Sequence, residues 1–154
     1  MITYHTGNIF DSKTKIIAHQ VNCMGKMGSG LALQVKQKYP NVFYEYHRHY
    51  DAQTKKLGDC LCVLCPDGRV IANLYGQYGY GYDGVQYTSH ESLKKAMISL
   101  ASLMSPGHSI AFPYKMSCDR GGGSWNVVSG YISTIFENYE VEIWRLPLEV
   151  KKGE

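Results

Sequence analysis

Blocks of apolar and polar residues alternate along the chain and predict strands that alternate with helices. Short apolar or β-prone runs predict strands at 2–5, 15–22, 60–65, 70–75, 108–113 and 140–146. Amphipathic stretches predict helices at 31–39, 41–50, 89–103 and 125–137. Pro66, Asp67 and Gly68 form a turn signal between the third and fourth strands, which predicts a hairpin there.

This alternation is typical of the α/β class. We expect a mixed, largely parallel sheet with helices on both faces, in one domain over residues 1–148 that is followed by a disordered tail at 149–154. Ligands of such folds gather beyond the carboxyl ends of the strands. Three loops follow strands at that edge, at residues 23–30, 76–84 and 114–124. These loops are the predicted place of a binding site.

Composition narrows the class of function. The 154 residues suffice for one core, and the net charge of +3 comes from scattered Lys and Arg residues, which disfavours a nucleic-acid binder. No apolar run reaches the roughly 20 residues of a membrane helix, the start lacks a secretory layout, and the five cysteines fit reduced thiols. We therefore expect a cytoplasmic monomer without a membrane partner. The 16 glycines and 13 tyrosines favour a ligand-binding domain.

Two glycine-rich loops each lead from a predicted strand into a helix. The first is GKMGSG at 25–30, and the second is GGGS at 121–124. Consecutive backbone N–H groups and the positive end of a helix bind anions without a charged side chain, so the two loops predict a diphosphate site. Lys26 is not followed by Ser or Thr, and no GxGxxG motif precedes an acidic residue, which disfavours the P-loop and dinucleotide-binding folds.

Four segments of the chain resemble the macrodomain family. HQVNCMGKMGSGLALQVKQKYP at 19–40 is similar, without a gap, to the first ligand loop and helix of the branch that contains ADP-ribosyl hydrolases and Appr-1-p processing proteins. SCDRGGGSW at 117–125 resembles the glycine-rich loop of that branch, TGNIF at 6–10 the segment after strand one, and NLYGQ at 73–77 the junction over the distal ribose. The resemblance implies a three-layer α/β/α fold that binds ADP-ribose in a cleft along the strand ends.

The resemblance also implies roles for the matched residues. Asn8 and Ile9 would flank adenine, and Asn22 would hydrogen-bond the distal ribose, although an asparagine there could also simply cap or turn the chain. Gln77 lies at the junction over that ribose, and the tyrosines at 78–82 could cover the sugar or pack on the surface. The two glycine loops supply the other ligand-binding candidates, which are Gly28, Ser29, Gly30, Leu31, Cys118, Gly121, Gly122, Gly123 and Ser124.

Three positions depart from the pattern of this branch. Gln77 stands where the ADP-ribosyl hydrolases have a lysine, and glutamine is neither a base nor a Schiff-base amine. Gly121 stands where one subgroup has a catalytic aspartate. Asn8 replaces the aspartate that contacts adenine and offers a carbonyl in place of a carboxylate. The mechanisms that use the lysine or the catalytic aspartate therefore do not carry over.

His19, Asn22 and Asp119 are the catalytic candidates. Phosphatase-like members also place a histidine at this strand end, so His19 could activate a water, or it could be a half-buried histidine bonded to backbone. Asp119 could orient a water or cap its loop, and Asn22 would fix the ribose. Lys115 and Arg120 offer cations to phosphate oxygens.

We expect neither a metal nor a cofactor. Cys60, Cys62 and Cys65, with His47 and His49, suggest a zinc site. Alternation along a strand places Cys65 on the opposite face from the other two cysteines, and the histidines belong to a predicted helix. Apolar filling of the sheet is therefore the better account of the cysteines.

These observations favour an ADP-ribose-binding hydrolase that acts as an ADP-ribose 1''-phosphate phosphatase or on a related derivative. Backbone amides would hold the diphosphate while His19 or Asp119 activates a water for attack on the terminal phosphorus. One alternative is an ADP-ribosyl hydrolase that acts on modified protein or nucleic acid. The other is a non-catalytic module that reads or sequesters ADP-ribose.

Overall fold

A six-stranded sheet runs through the centre of the chain and carries helices on both faces. The computed structural model describes residues 1–51, 56–81, 83–118 and 121–147. The strands are β1 Ile2–Thr6, β2 Ile16–Val21, β3 Cys60–Leu64, β4 Val70–Tyr75, β5 Ser109–Pro113 and β6 Glu140–Arg145. The helices are α1 Gly30–Lys38, α2 Pro40–Asp51, α3 His90–Leu103 and α4 Trp125–Ile135. All the predicted elements are confirmed, with ends that differ by one or two residues.

The sheet is mixed and largely parallel, as predicted. Its strand order is β1-β6-β5-β2-β4-β3. Every neighbouring pair is parallel except β3 and β4, which form the predicted antiparallel hairpin. Because β5, β2 and β4 are adjacent and parallel, the loops that follow them leave the same edge of the sheet.

Two hydrophobic clusters cover the two faces of the sheet. Successive side chains of a strand point to opposite faces, so Ile17 and Val21 of β2 pack in the cluster of α1 and α2. Ile16 and Ala18 pack in the other cluster, with α3 and α4. The chain therefore has the three-layer α/β/α architecture.

Local sequence explains where the helices begin and which faces they bury. Ser89 caps α3 by accepting a hydrogen bond from the backbone N–H of Ser92 through its side chain. Leu93, Met97 and Leu100 follow at helical spacing and are fully buried against the sheet. A short 3-10 turn at Ile9–Asp11, which the sequence analysis did not predict, follows β1.

Some of the predictions lie outside the described residues. The tail at 149–154, Tyr82, Asp119 and Arg120 are among them. None of the helices described is both long enough and apolar enough to cross a lipid bilayer.

The two leucines at the end of α3 provide a test of the packing. Leu100 is 1% exposed and Leu103 is 65% exposed. We expect Leu100→Ala to lower the free energy of unfolding by about 2–5 kcal/mol, because the change leaves a cavity against the sheet. Leu103→Ala, the matched control, should change it by less than about 0.5 kcal/mol. Urea unfolding of both variants measures the difference, and equal losses would contradict the assignment of the buried face.

Candidate ligand-binding site

Backbone hydrogen bonds join the three loops at the carboxyl edge of the sheet. The N–H of Cys23, after β2, donates to the carbonyl of Tyr78, after β4, at 2.9 Å. The N–H groups of Tyr87 and Thr88 donate to the carbonyl of Gly121, after β5, each at 2.8 Å. The segments that follow β2, β4 and β5 are therefore one connected surface, although the bonds to Gly121 come from residues beyond the predicted loop 76–84.

Gln20, the penultimate residue of β2, joins the loops through its side chain. Its Nε2 donates to Gln77 Oε1 at 2.6 Å and to Thr88 Oγ1 at 2.9 Å. Its Oε1 accepts a hydrogen bond from the Ser117 hydroxyl at 2.7 Å. Thr88 in turn donates to the carbonyl of Ser117 at 2.9 Å. We call Gln20, Gln77, Thr88 and Ser117 the amide–hydroxyl network.

Gly121 is a glycine because this network leaves no room for a side chain. A Cβ there would lie 2.7 Å from the carbonyl oxygen of Ser117 and would collide with the hydroxyl of Thr88. An aspartate at this position, as in one macrodomain subgroup, therefore cannot be accommodated without displacing backbone. The presence of glycine rather than aspartate at position 121 is therefore a requirement of the amide–hydroxyl network.

Gln77, which stands where the resemblance places a lysine of the ADP-ribosyl hydrolases, is held by hydrogen bonds on both sides of its side-chain amide. Its Oε1 accepts the hydrogen bond from Gln20, and its Nε2 donates to the carbonyl of Gly79 at 2.7 Å. The side-chain amide of Gln77 thus both accepts and donates a hydrogen bond within the protein. It offers no group that could act as a base.

The first glycine loop leaves the start of α1 open. A Cβ at Gly28 or Gly30 would meet nothing within 4 Å, and Gly30 has a φ of +57° that favours glycine. Ser29 is the N-cap residue of α1 but makes no side-chain capping hydrogen bond. Leu31 follows in the first turn and is partly buried against the cluster under α1. This geometry allows an anion to approach the N-terminus of the helix.

The second glycine loop differs from the expectation. The N–H of Gly123 donates to the carbonyl of Ser117 at 2.8 Å, and the N–H of Ser124 donates to Nε2 of His90 at 3.0 Å. A ligand that uses these two amides would have to replace both bonds. Gly122 turns the loop with a φ of +70°, a conformation that L side chains rarely adopt.

Asn8 and Ile9 begin the 3-10 turn after β1. Asn8 is exposed, and its Oδ1 accepts a hydrogen bond from the backbone N–H of Phe10 at 2.9 Å. Ile9 is 6% exposed and packs in the cluster under α1 and α2. Asn8 is thus available at the surface, whereas the side chain of Ile9 belongs to the core.

Asn22 shapes the first ligand loop from within. Its Oδ1 accepts hydrogen bonds from the N–H of Met24 at 2.9 Å and from the hydroxyl of Tyr46 at 2.7 Å. Its Nδ2 donates to the carbonyl of Lys26 at 2.9 Å. The turn role that the sequence allowed is therefore realised, and one Nδ2 hydrogen is left for a ribose hydroxyl.

His19 lies inside the protein, two residues before the end of β2. It is 2% exposed and faces Asn73, its register partner on β4. Asn73 donates through Nδ2 to the carbonyl of Leu61, which turns its Oδ1 toward His19, so Nε2 of His19 carries the hydrogen of the 2.7 Å bond. Nδ1 has no hydrogen-bond partner among the residues described. This position gives the predicted role of His19 in water activation no support.

The pKa of His19 also gives its predicted role in water activation no support. Burial lowers the pKa of His19 from 6.5 to about 4, and the hydrogen bond to Asn73 opposes that shift only in part. The imidazole is therefore neutral at physiological pH. The single N–H of the neutral imidazole ring donates to Oδ1 of Asn73.

Cys118, a predicted ligand-binding residue after β5, and Asp83, a residue of the loop after β4, both have local hydrogen-bond partners. The thiol of Cys118 donates to the carbonyl of Met116, and burial raises its pKa to about 11, so it is neutral and not a nucleophile. Asp83 accepts hydrogen bonds from the hydroxyl of Tyr87 and the N–H of Val85, and the bond from Tyr87 lowers its pKa. Tyr78 and Tyr80, the latter 51% exposed, project from the same loop.

The cysteines of the hairpin separate as the alternation predicted. Cys60 packs in the cluster of α3 and α4, whereas Cys65 packs in the cluster of α1 and α2. The sulfur atoms of Cys60 and Cys62 are 3.7 Å apart. Over residues 1–51, 56–81, 83–118 and 121–147, no three His, Cys, Asp or Glu side chains are grouped as metal ligands.

Three curated relatives carry names that refer to ADP-ribose. Human ADP-ribose glycohydrolase OARD1 is 28% identical over 145 residues, which cover 92% of this chain and 88% of that protein. The DNA ADP-ribosyl glycohydrolase of Mycobacterium tuberculosis is 44% identical over 48 residues, 31% of this chain and 14% of that protein. The ADP-ribose 1''-phosphate phosphatase of Saccharomyces cerevisiae is 36% identical over 70 residues, 42% of this chain and 37% of that protein. The last two matches span well under two thirds of each relative, and no family model matches the chain.

Solved structures match nearly the whole chain. The macrodomain of Mycobacterium tuberculosis DarG has a TM-score of 0.81 at 23% identity, over 94% of this chain and 97% of that one. The chain has the macrodomain fold. A protein of unknown function from Bacteroides thetaiotaomicron reaches a TM-score of 0.85 at 24% identity, over 95% of this chain and 98% of that one. Likeness at this identity shows the macrodomain fold and leaves the activity to the residues of the site.

Several residues that organise the site were not identified from the sequence. They are Gln20, Tyr46, Thr88, His90 and Ser117, whose hydrogen bonds are described above. Only the role of Gln20 could have been predicted from the sequence. It is a polar residue in a mostly apolar strand, and a side-chain amide that is partly buried there needs hydrogen-bond partners. The partners themselves had no local signature.

His19 makes the stability of this protein depend on pH. In the unfolded chain the imidazole takes up a proton near pH 6.5, whereas in the fold it resists protonation down to about pH 4. The unfolded state therefore binds more protons in this window, and the free energy of unfolding falls as the pH drops through it, by about 3 kcal/mol. Urea unfolding between about pH 7.5 and about pH 4.5 measures the loss. In His19→Gln this part of the slope should vanish, and an unchanged slope would refute the assignment.

Gln20 can be tested by an isosteric change. Gln20→Glu removes both donated hydrogen bonds and places a carboxylate against Gln77 Oε1, so we expect the free energy of unfolding to fall by about 1–3 kcal/mol. Gln37→Glu makes the same chemical change at an exposed position of α1 and should shift it by less than about 0.5 kcal/mol. Chemical denaturation at neutral pH compares the two. Equal stability of both variants would show that the amide–hydroxyl network contributes nothing to the fold.

Proposed function

We propose that this macrodomain binds ADP-ribose and removes the phosphate from the distal ribose of ADP-ribose 1''-phosphate. The observation that carries the proposal is the convergence of three loops at the carboxyl edge of the sheet, joined by Cys23 to Tyr78 and by Thr88 to Gly121. The names of the human and yeast relatives, which refer to ADP-ribose hydrolysis and to phosphate removal, support it.

The first glycine loop is the part of the edge best suited to the diphosphate. Gly28 and Gly30 leave open space over the N-terminus of α1, and Ser29 leaves its cap position without a side-chain bond. Backbone N–H groups at a helix start carry a partial positive charge that a diphosphate neutralises. The adenine would extend toward Asn8, and the distal ribose toward Asn22.

The chemistry would depend on neutral donors around the terminal phosphate. Hydrolysis forms a bond from a water oxygen to phosphorus and breaks the bond from phosphorus to the ribose oxygen. Preorganised amide and hydroxyl donors stabilise the negative charge that develops on the phosphoryl oxygens. Gln77, which Gln20 holds through Oε1, is such a group at this edge, because its Nε2 keeps one hydrogen beyond the bond to Gly79. Asp119, the candidate for activating the water, lies outside the described residues.

A second candidate function is supported by the chemistry of the network. Gln77 replaces the lysine of the hydrolases, Gly121 has no room for an aspartate, and His19 is buried and neutral. A site with this composition suits a module that holds ADP-ribose without turning it over. Turnover is therefore the property that separates the two functions.

The test combines binding and turnover in one sample. Titration calorimetry with ADP-ribose, with ATP and NAD as comparison ligands, should show binding of ADP-ribose. Chromatography after incubation with ADP-ribose 1''-phosphate should show ADP-ribose and free phosphate, and Asp119→Asn should keep the binding and lose the product. Binding without product would favour the non-catalytic module, and absence of binding would refute both functions.

A matched pair of glycine variants localises the diphosphate. Gly28→Glu adds a negative charge where a Cβ meets open space, so we expect the fold to persist and ADP-ribose to bind at least about tenfold more weakly. Gly130→Glu adds the same charge at an equally open position of α4 and should bind like the wild type. Equal affinities of the two variants would place the diphosphate elsewhere.

A further inference from the structure

Helix α2 lies behind the first glycine loop and contacts it through a buried tyrosine. Tyr46 is 1% exposed, and its hydroxyl lies 2.6 Å from the carbonyl oxygen of Asn22 and 2.7 Å from Asn22 Oδ1. The carbonyl oxygen of Lys26 is 3.5 Å away. One phenolic group thus lies against both ends of the turn from residue 22 to residue 26.

The orientation of the Asn22 amide is determined by the backbone. Met24 N–H is only a donor, so the atom that it meets at 2.9 Å is Oδ1. Nδ2 then faces the carbonyl of Lys26, which only accepts. The Tyr46 hydroxyl approaches the same Oδ1 as a donor. Asn22 therefore ties the turn together, and Tyr46 is the contact that ties Asn22 to the helix layer.

Tyr46 is suited to act as a permanent donor. Burial raises the pKa of Tyr46 far above its ordinary value, so the phenol keeps its hydrogen throughout the physiological range. Its ring stacks on the ring of Tyr75 at a centroid distance of 5.9 Å, which restrains the direction of the hydroxyl. Removal of the hydroxyl would take away the single hydrogen that the carbonyl oxygen and Oδ1 of Asn22 share, at a partly buried position.

A second contact from α2 reaches the same loop. Gly25 has a φ of +71°, and a Cβ there would lie 2.9 Å from the ring of Tyr50. The loop therefore passes directly against the helix with no space between them. Both contacts fix the path of the chain just before Gly28 and Gly30, which leave the start of α1 open.

We infer that Tyr46 is a positioning residue for the ligand, which acts through Asn22 to hold the first glycine loop in its anion-binding conformation before the ligand arrives. This inference rests on the proposed binding of ADP-ribose at that loop. A loop ordered in advance loses less conformational entropy on binding, and the saving increases affinity. Tyr46 itself touches Asn22 and the backbone of the loop and not the ligand.

The test compares two single-oxygen deletions. Tyr46→Phe removes the hydroxyl that meets Asn22, whereas Tyr39→Phe, the matched control, removes a hydroxyl that donates to Asp67 in the hairpin turn. We expect Tyr46→Phe to weaken ADP-ribose binding about tenfold and Tyr39→Phe to leave it within about twofold. Titration calorimetry measures both. Equal affinities of Tyr46→Phe and the wild type would overturn the inference.

Two further readouts separate positioning from a general loss of structure. Amide hydrogen exchange of the free protein should be faster at Met24 in Tyr46→Phe, whereas the amides of the strands keep their protection. The affinity loss should also be non-additive with Asn22→Ala, because the tyrosine acts through the asparagine. Additive losses, or unchanged exchange at Met24, would refute the inference.

The exchange measurement needs no ligand and distinguishes the two failures. A wild-type protein that binds no ADP-ribose refutes the proposed function, and in that case the exchange comparison alone decides whether Tyr46 holds the loop. A wild-type protein that binds ADP-ribose while Tyr46→Phe matches it leaves the function standing and removes the role of Tyr46.

Discussion

The pairing of β2 between β4 and β5 is the constraint on which the site depends. Ile17 of β2 is in register with Ile71 on one side and with Ala111 on the other. Because the three strands are parallel, their carboxyl ends finish at one edge, and a slip by one residue would turn every side chain of β2 to the opposite face. Gln20 then lies where loops from both neighbouring strands can reach it. The site is a product of the register rather than of any single loop.

The fold and the meeting of the loops could be predicted because they depend on local patterns and one topological rule. Apolar runs mark the strands, and parallel strands leave their loops at one edge. The partners of Gln20 could not be predicted, since they lie 57, 68 and 97 positions away in the chain. His19 shows the same limit. Its place in a strand could be predicted, but its hydrogen-bond partner Asn73, which lies 54 positions away in the chain, could not.

The amide–hydroxyl network contains no group that changes charge with pH, so the geometry of the carboxyl edge of the sheet does not depend on protonation. Gln20, Gln77 and Thr88 are neutral, and each both donates and accepts a hydrogen bond, although Gln77 donates outside the network, to Gly79. Such a group of side chains holds its geometry across the pH range in which carboxylates and imidazoles change charge. The titratable His19 lies on the opposite face of β2, which α1 and α2 cover. The geometry of the site and the pH dependence of stability therefore depend on different residues.

The position of β6 has a consequence for the order in which the chain can fold. β1 has β6 as its neighbour in the sheet, with Ile2 in register with Val141. A ribosome makes β1 more than a hundred residues before β6, so β1 lacks its sheet partner while the residues between them are synthesised. The edge of the sheet therefore closes last, through a contact between distant parts of the chain, which slows folding. Until then the backbone of β1 is exposed to other chains and to chaperones.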